Sequence, residues 1–384
     1  MTTQIPKLRF PEFEGEWEKR NLGEITVWAS GGTPSKENES YWNGDIPWIS
    51  ASSMRGKEYY NSDLKITIEG LKNGSKLAKK GSLLILVRGS MLFNKIPIGI
   101  AKKDVAFNQD VKSIVVNESA EAEYMLLWFE YSESKIMNMV SGTGIGAGKL
   151  DLADLKALNI SLPTLPEQTK IANFLTAIDT KIQQLTQKKA LLEAYKKGVM
   201  QQLFSQTIRF KDENGEDCAD WEEKKLGEVA PLQRGFDLPV DKIVNGKFPV
   251  VFSNGILKFH NEYKVKAPGV VTGRSGTIGK VTFVSTNYWP HNTSLWVTDF
   301  KGNYPEFIYH FYKYYDLSRF GAGSGVPTLN RNDVHSQIES FPTLPEQTKI
   351  ANFLTSIDAK IETVAKKIEQ TQAYKKGLLQ QMFV

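Results

Sequence analysis

The fourteen residues PTLPEQTKIANFLT occur twice without a single change, once from Pro163 to Thr176 and again from Pro342 to Thr355. The offset of 179 residues between Leu165 and Leu344 holds to the end of the segment. Tyr195-Lys196-Lys197-Gly198 returns as Tyr374-Lys375-Lys376-Gly377, and Gln201-Gln202-Leu203-Phe204 returns as Gln380-Gln381-Met382-Phe383. Between Pro163 and Ile182 only Ala177/Ser356 and Thr180/Ala359 differ. A fainter repeat opens each half: WEKRNLGEI at Trp17 and WEEKKLGEV at Trp221, preceded by Arg9-Phe10 and Arg209-Phe210. A period this long is not a solenoid repeat. It describes a duplicated module: an opening motif, a variable body, then the repeated segment.

The repeated segment reads as a long helix. Thr164-Leu165-Pro166-Glu167 has capping-box spacing, with the proline in a first-turn position where its missing N–H costs nothing. Beyond it, Ile171, Leu175, Ile178, Ile182, Leu185, Leu192, Val199 and Leu203 follow a 4-3 alternation, interrupted by Lys189 and Lys196. Ile350, Leu354, Ile357, Ile361, Val364, Ile368, Leu378 and Met382 do the same in the second copy, interrupted by Thr371 and Lys375. Such a seam predicts coiled-coil packing, and the lysines near Tyr-Lys-Lys suggest that the last turns pack on something other than the partner helix. A helix from Pro166 to Phe204 is about 58 Å long, more than a compact body needs, so the two copies are expected to pack on each other. A core stripe needs only apolar inner positions. The repetition of Glu167, Gln168, Lys170 and Asn173, and of Glu346, Gln347, Lys349 and Asn352, therefore predicts outward-facing docking sites for two copies of one partner. The implied symmetry is that of a dimer fused into one chain, a pseudo-twofold internal repeat.

The bodies differ. Short apolar runs such as GSLLILVRGS and IPWISASSM in the first, and PGVVTGRSGTIGKVTFVS and NTSLWVTDF in the second, read as strands between turns. AEYMLLWFEYSESKIMNMV and PEFIYHFYKYYDLSRF read as a helix late in each body. The fold class is thus α+β: two mixed domains joined by two long helices. Boundaries fall at 1–162 and 205–341 for the bodies and 163–204 and 342–384 for the helices. Arg88-Gly89-Ser90 aligns with Arg274-Ser275-Gly276, Phe107-Asn108-Gln109 with His291-Asn292-Thr293, and the Gly-rich turn before each repeat places Gly146 on Gly325. Glycine turns carrying Arg, Asn, Gln, Ser and Thr suit contact with base edges and phosphates. The candidates are Gly31, Gly32, Thr33, Arg88, Ser90, Asn108, Gln109 and Thr143 in the first body, and Arg234, Asn254, Arg274, Ser275, Thr277 and Asn292 in the second.

Marks of catalysis are missing. GTGIGAGKL lacks Walker spacing and follows a helix, the wrong context for a phosphate cradle. The four histidines all lie in the second half without metal-ligand spacing. There is no nucleophile elbow and no Asn/Asp-Pro-Pro-aromatic stretch of an adenine methyltransferase. Neither catalytic nor metal residues are expected. A net charge of +5 is compatible with a polyanion partner. A polar start, a lone Cys218 and no apolar run near ~20 residues point to a cytoplasmic protein.

This arrangement resembles the specificity subunit of type I restriction-modification systems. The carriers are LPTLPEQTKIANFLTAID and FPTLPEQTKIANFLTSID, the GGTPSK stretch from Gly31 to Lys36, the W-E-x-x-x-L-G-E openings and the Gly-rich turn before each repeat. The second body departs from the pattern, with QRGFDLP (Gln233–Pro239) in place of SGGTPSK. The resemblance implies that each body is a target recognition domain reading half of a split, asymmetric DNA sequence. It also implies an antiparallel coiled coil that fixes the gap, at most about 17 base pairs for a 58 Å rod. Two S-adenosylmethionine-dependent adenine-N6 methyltransferase subunits would dock on the repeats, restriction subunits would add ATP- and Mg-dependent translocation and cleavage, and the chain itself would bind no cofactor. Because QQLF is followed after only Ser205-Gln206-Thr207 by IRF, which opens the second half, the terminal QQMFV is expected beside the opening IPKLRF. A stand-alone DNA-binding or architectural protein is the alternative.

Overall fold

A computed structural model describes residues 5–143, 146–322 and 327–384; Gly325 of the aligned glycine turn lies outside them. The chain forms two compact units, Met1–Gln184 with Lys367–Val384, and Leu185–Lys366.

In the first unit the opening strand Glu18–Asn21 pairs antiparallel with Asn159–Leu162, which leads straight into the first long helix. The body holds a five-stranded sheet in the order Thr26–Ser30, Val111–Val116, Leu83–Leu86, Ile98–Ala101 and Glu58–Tyr59. Leu83–Leu86 is buried on both faces, the reason it reads as an unbroken apolar run rather than an alternating one. A second sheet orders Lys65–Ile66, Trp42–Ile49, Val105–Phe107 and Lys76–Ala78, with Val105–Phe107 parallel to Trp42–Ile49. The late helix is two helices, Ala122–Tyr131 and Glu133–Met137, broken at Ser132. Tyr124 through Phe129 are all buried, so this helix is enclosed rather than amphipathic.

The second unit repeats the plan. Leu232–Arg234, Ser294–Val297, Gly269–Gly273 and Val281–Val284 form one sheet; Gly255–His260, Phe248–Phe252 and Trp289–Pro290 form another. The body helix is Pro305–Tyr315, and Glu222–Lys225 pairs with Ile338–Phe341 just before the second long helix.

The long helices run from Leu165 to Phe204 (40 residues) and from Leu344 to Met382 (39 residues). In unit one, Ile171, Ala172 and Leu175 share a core with Leu378, Leu379, Met382 and Phe383. In unit two, Val199, Met200, Leu203 and Phe204 share one with Ile350, Ala351, Leu354 and Ile357. The start of each helix meets the end of the other, so they pack antiparallel. All sixteen seam residues expected from the sequence are buried or half-buried. Two of the three off-pattern lysines meet an acid of the other long helix, Lys375 Nζ lying 2.7 Å from Asp179 Oδ2 and Lys196 Nζ 2.5 Å from Asp358 Oδ2, while Lys189 pairs with Glu193 of its own helix. A buried polar pair fits only one register, which apolar seam contacts alone do not enforce. The final turns leave the seam for the body helix, Phe383 stacking on Tyr124 and Tyr131 and Phe204 on Tyr314. The chain end does lie beside the opening, since Leu8 N–H donates to Gln381 O at 2.9 Å. No helix among the described residues is long and apolar enough to cross a membrane.

Candidate nucleic-acid interface

Backbone hydrogen bonds put the two bodies in register more firmly than sequence does. Gly32 N–H donates to Phe107 O at 3.0 Å, and Phe236 N–H to Pro290 O at 2.8 Å; Asn108 N–H donates to Ile49 O at 3.0 Å, and His291 N–H to Val251 O at 2.9 Å. Val87 N–H donates to Asp110 O and Arg274 N–H to Thr293 O, while Leu150 N–H and Leu329 N–H return to Val87 O and Arg274 O. The frame therefore matches Val87 with Arg274, Arg88 with Ser275, Ser90 with Thr277, Asn108 with His291, Gln109 with Asn292 and Thr33 with Asp237. Positive φ at both Gly89 and Gly276 agrees. The sequence alignments of Arg88 with Arg274 and of Phe107-Asn108-Gln109 with His291-Asn292-Thr293 are thus each one residue out; at Arg88, Gly-Ser and Ser-Gly align in either phase while only one phase satisfies the ladder.

Several candidates are brought together. In unit one Thr33 and Gln109 meet at 2.7 Å (Oγ1 to Oε1), and Gln109 is exposed. Arg88 is exposed on a short strand paired with Gly148–Lys149, and Ser90 is exposed in the following turn. In unit two, at the place matching Thr33–Gln109, the Asp237 carboxylate accepts from Asn292 Nδ2 and lies 2.7 Å from Arg234. These two partners hold the Asp237 carboxyl below its ordinary range, Asn292 contributing most. Asn254 is exposed beside Ser253, whose N–H donates to Thr293 Oγ1 at 3.3 Å; Arg274 and Ser275 are half-buried and Thr277 is exposed. Asp237 was missed, and the only sequence signal was QRGFDLP standing where SGGTPSK was expected.

Other candidates have internal duties. A Cβ on Gly31 would lie 2.1 Å from Phe107 O, and one on Gly235 2.2 Å from His291 O; these glycines let two backbones cross. Asn108 is buried, its Oδ1 accepting from the N–H groups of Asp110 and Val111. Thr143 Oγ1 donates to Ala147 O at 2.8 Å.

The repeated helix start also differs from expectation. Glu167 and Gln168 do not face outward: they are 1% and 0% exposed, and Glu346 and Gln347 are 0% and 3% exposed. Arg9 grips Glu167 through two bonds of 2.7 and 2.8 Å, with Trp17 Nε1 at 3.3 Å; Arg209 and Trp221 hold Glu346 alike, at 3.2, 2.7 and 3.2 Å. Gln168 accepts from Glu121 N–H and donates to Ser119 O and Pro163 O, while Gln347 accepts from Tyr304 N–H and donates to Asn303 Oδ1 and Pro342 O. These residues are repeated because each body is fastened to its helix by the same clamp. Lys170 is exposed, pairs with Glu12 and lies 4.9 Å over the Phe10 ring; Lys349 is half-buried and donates to Lys211 O at 2.7 Å. Asn173 and Asn352 are exposed. So, in both copies, are Leu165/Leu344 and Tyr195/Tyr374, apolar positions repeated without a core to explain them.

The family model for the type I restriction modification DNA specificity domain matches residues 14–194 and 219–373. The chain belongs to this family. Members are the non-catalytic, sequence-recognising subunits of type I systems. The specificity subunit of the Escherichia coli EcoR124I/EcoR124II enzyme is 34% identical over 182 residues, covering 47% of this chain and 45% of that protein. The MjaVIII specificity subunit of Methanocaldococcus jannaschii is 27% identical over 97% of this chain and 92% of its own length. The alignment thus spans about half of the E. coli relative and nearly all of the archaeal one. The crystal structure of a type I specificity subunit from M. genitalium superposes with a TM-score of 0.67 over 99% of both chains at 18% identity, a likeness of fold.

Proposed function

We propose that this specificity subunit reads a bipartite, asymmetric DNA site, one half through the body of residues 1–162 and the other through that of 205–341. It recruits two adenine-N6 methyltransferase subunits through the exposed part of its repeated helices and, where present, restriction subunits. S-adenosylmethionine, ATP and Mg then act on those partners. The observation that carries this reading is the matched frame. Two bodies share a hydrogen-bond framework, yet the side chains at its matched exposed or half-buried positions differ: Arg88 against Ser275, Gln109 against Asn292, Thr33 against Asp237. A shared scaffold with different reading residues is what two different half-sites require. Arg88, whose guanidinium has no hydrogen-bond or ion-pair partner among the described residues, suits bidentate contact with guanine. Recruitment moves from the buried Glu167/Gln168 and Glu346/Gln347 to Lys170, Asn173, Lys349 and Asn352 and the exposed Leu and Tyr pairs.

Reconstitution tests it. The chain plus its cognate methyltransferase is expected to methylate adenine only in DNA carrying one split motif, with neither protein active alone. Methylation by the methyltransferase alone with the same sequence preference would defeat the reading.

A further inference from the structure

The clamp and the aromatic stacking also match the two body helices. Gln168 accepts from Glu121 N–H as Gln347 does from Tyr304 N–H, and Phe383 lies on Tyr131 as Phe204 lies on Tyr314. Glu130 is thereby matched with Lys313, and Leu127 with His310. In unit one, Lys375 Nζ is 2.7 Å from both Glu130 Oε2 and Asp179 Oδ2, and Lys57 Nζ is 2.5 Å from Glu130 Oε1 and 3.1 Å from Asp179 Oδ2. Two ammonium groups meet two carboxylates, and the cluster is balanced.

In unit two the balance is broken. Lys196, only 8% exposed, meets Asp358, and Lys313 stands where unit one has the Glu130 carboxylate. Among the described residues no second carboxylate lies within salt-bridge distance of either lysine; Lys313 Nζ reaches only Tyr309 Oη, at 3.2 Å. His310 is fully buried here, with Nε2 3.1 Å from Thr355 Oγ1 and Nδ1 lacking a partner among the described residues. The Lys196 ammonium is pulled below its ordinary pKa, first by burial and then by Lys313 despite Asp358, whereas Lys313, despite its own burial, is raised by Tyr309 and Asp358 and keeps its charge. Both lysines line an open recess of about 400 Å³ with Lys197, Met200, Tyr314 and Glu193. The Glu193 carboxylate is engaged by Lys189 at 2.7 Å.

We propose that this recess is an anion site that takes a carboxylate from an acidic side chain of a docked partner polypeptide, supplying from outside the group that Glu130 supplies within unit one. The inference rests on the recruitment proposed above. A carboxylate is favoured over a DNA phosphate because the matched occupant in unit one is a carboxylate. The recess is also formed by the repeated helix and the body helix, not by the reading loops. A charge-assisted hydrogen bond to a desolvated lysine is among the stronger polar contacts available to a docking surface. Two copies of one partner then dock non-equivalently, because unit one already fills this position from its own chain.

The test titrates the cognate methyltransferase subunit onto full-length chain, following stoichiometry and affinity by native mass spectrometry and calorimetry. Lys313→Glu replaces a like-charge neighbour of Lys196 with a carboxylate at the position matched to Glu130, so the free protein is expected to melt no lower than the parent, while one of the two docking events weakens by about tenfold or more. Lys313→Met, which removes the charge without adding an acid, weakens the same event by less and guards against a folding artefact. If the parent binds two copies and both variants bind them equally well, this proposal falls and recruitment stands. If the parent binds none, both fall. If Lys313→Glu leaves partner binding intact but weakens DNA binding by the chain alone, the recess takes a phosphate and the proposal is overturned.

Discussion

Replacing Glu167 with alanine separates a clamp from a docking site. The carboxylate is 1% exposed and receives two bonds from Arg9 and one from Trp17. Its removal leaves the Trp17 N–H without its acceptor and the Arg9 guanidinium with only the Gly15 and Glu14 carbonyls. Breaking a fully buried pair by deleting one partner costs ~3–5 kcal/mol. Arg9 keeps 14% of its side-chain surface, so water recovers part of that loss, and about 2–4 kcal/mol is the expected cost. Glu167→Gln keeps the shape and one acceptor oxygen and should fall between. Glu346→Ala should act alike in the second unit, where Arg209 is 22% exposed, with a cost nearer the low end. The assay is chemical denaturation followed by tryptophan emission, since Trp17 and Trp221 sit against these carboxylates, with a double-mutant cycle of Arg9→Ala and Glu167→Ala. A coupling of about 1–3 kcal/mol is expected. A change below about 0.5 kcal/mol, together with loss of methyltransferase binding, would refute the clamp and restore Glu167 as a docking residue.

Two further outcomes are expected. Arg88→Ala should cost about 1–3 kcal/mol of DNA binding and relax one position of one half-site; equal weakening on every sequence in a competition assay would make it a phosphate contact. His310 is buried and its pKa is pushed from 6.5 down to about 3, by burial first and then by Lys196. Its folded-state pKa is depressed, so the neutral ring's contribution is complete above pH 6.5 and erodes as pH falls from there toward 3. Unit two should therefore destabilise through that window in pH-dependent denaturation. His310→Leu, which installs the residue matched in unit one, should flatten the dependence; an unchanged pH profile would contradict the assignment.

Much of the architecture was legible because the duplication compares the chain with itself. The seam residues followed from a 4-3 pattern and a constant offset, the return of Gln381 to Leu8 from the way the first repeat runs on into the second half, and the antiparallel pairing of the helices from the family resemblance. Glu167 and Gln168 misled because repetition was equated with a shared partner outside the chain. An internal clamp repeats for the same reason, and its other half, Arg9 and Trp17, lies some 150 residues away. The one-residue slip at Arg88 arose where glycine and small polar residues leave the phase open, which only backbone pairing resolves. Lys196 and Lys375 looked like interruptions because a helical pattern shows hydrophobicity, not the acid that meets each lysine across the seam.

The central claim is that two different bodies address two different half-sites for one modifying partner. Its most direct test is a genome-wide adenine methylation map in cells with the cognate methyltransferase, comparing the intact gene, its deletion, and a chain whose second body is exchanged for that of another family member. The account expects one split motif with a fixed gap, lost on deletion, and changed in a single half on exchange. A map that survives deletion, or an exchange that alters both halves together, would contradict it.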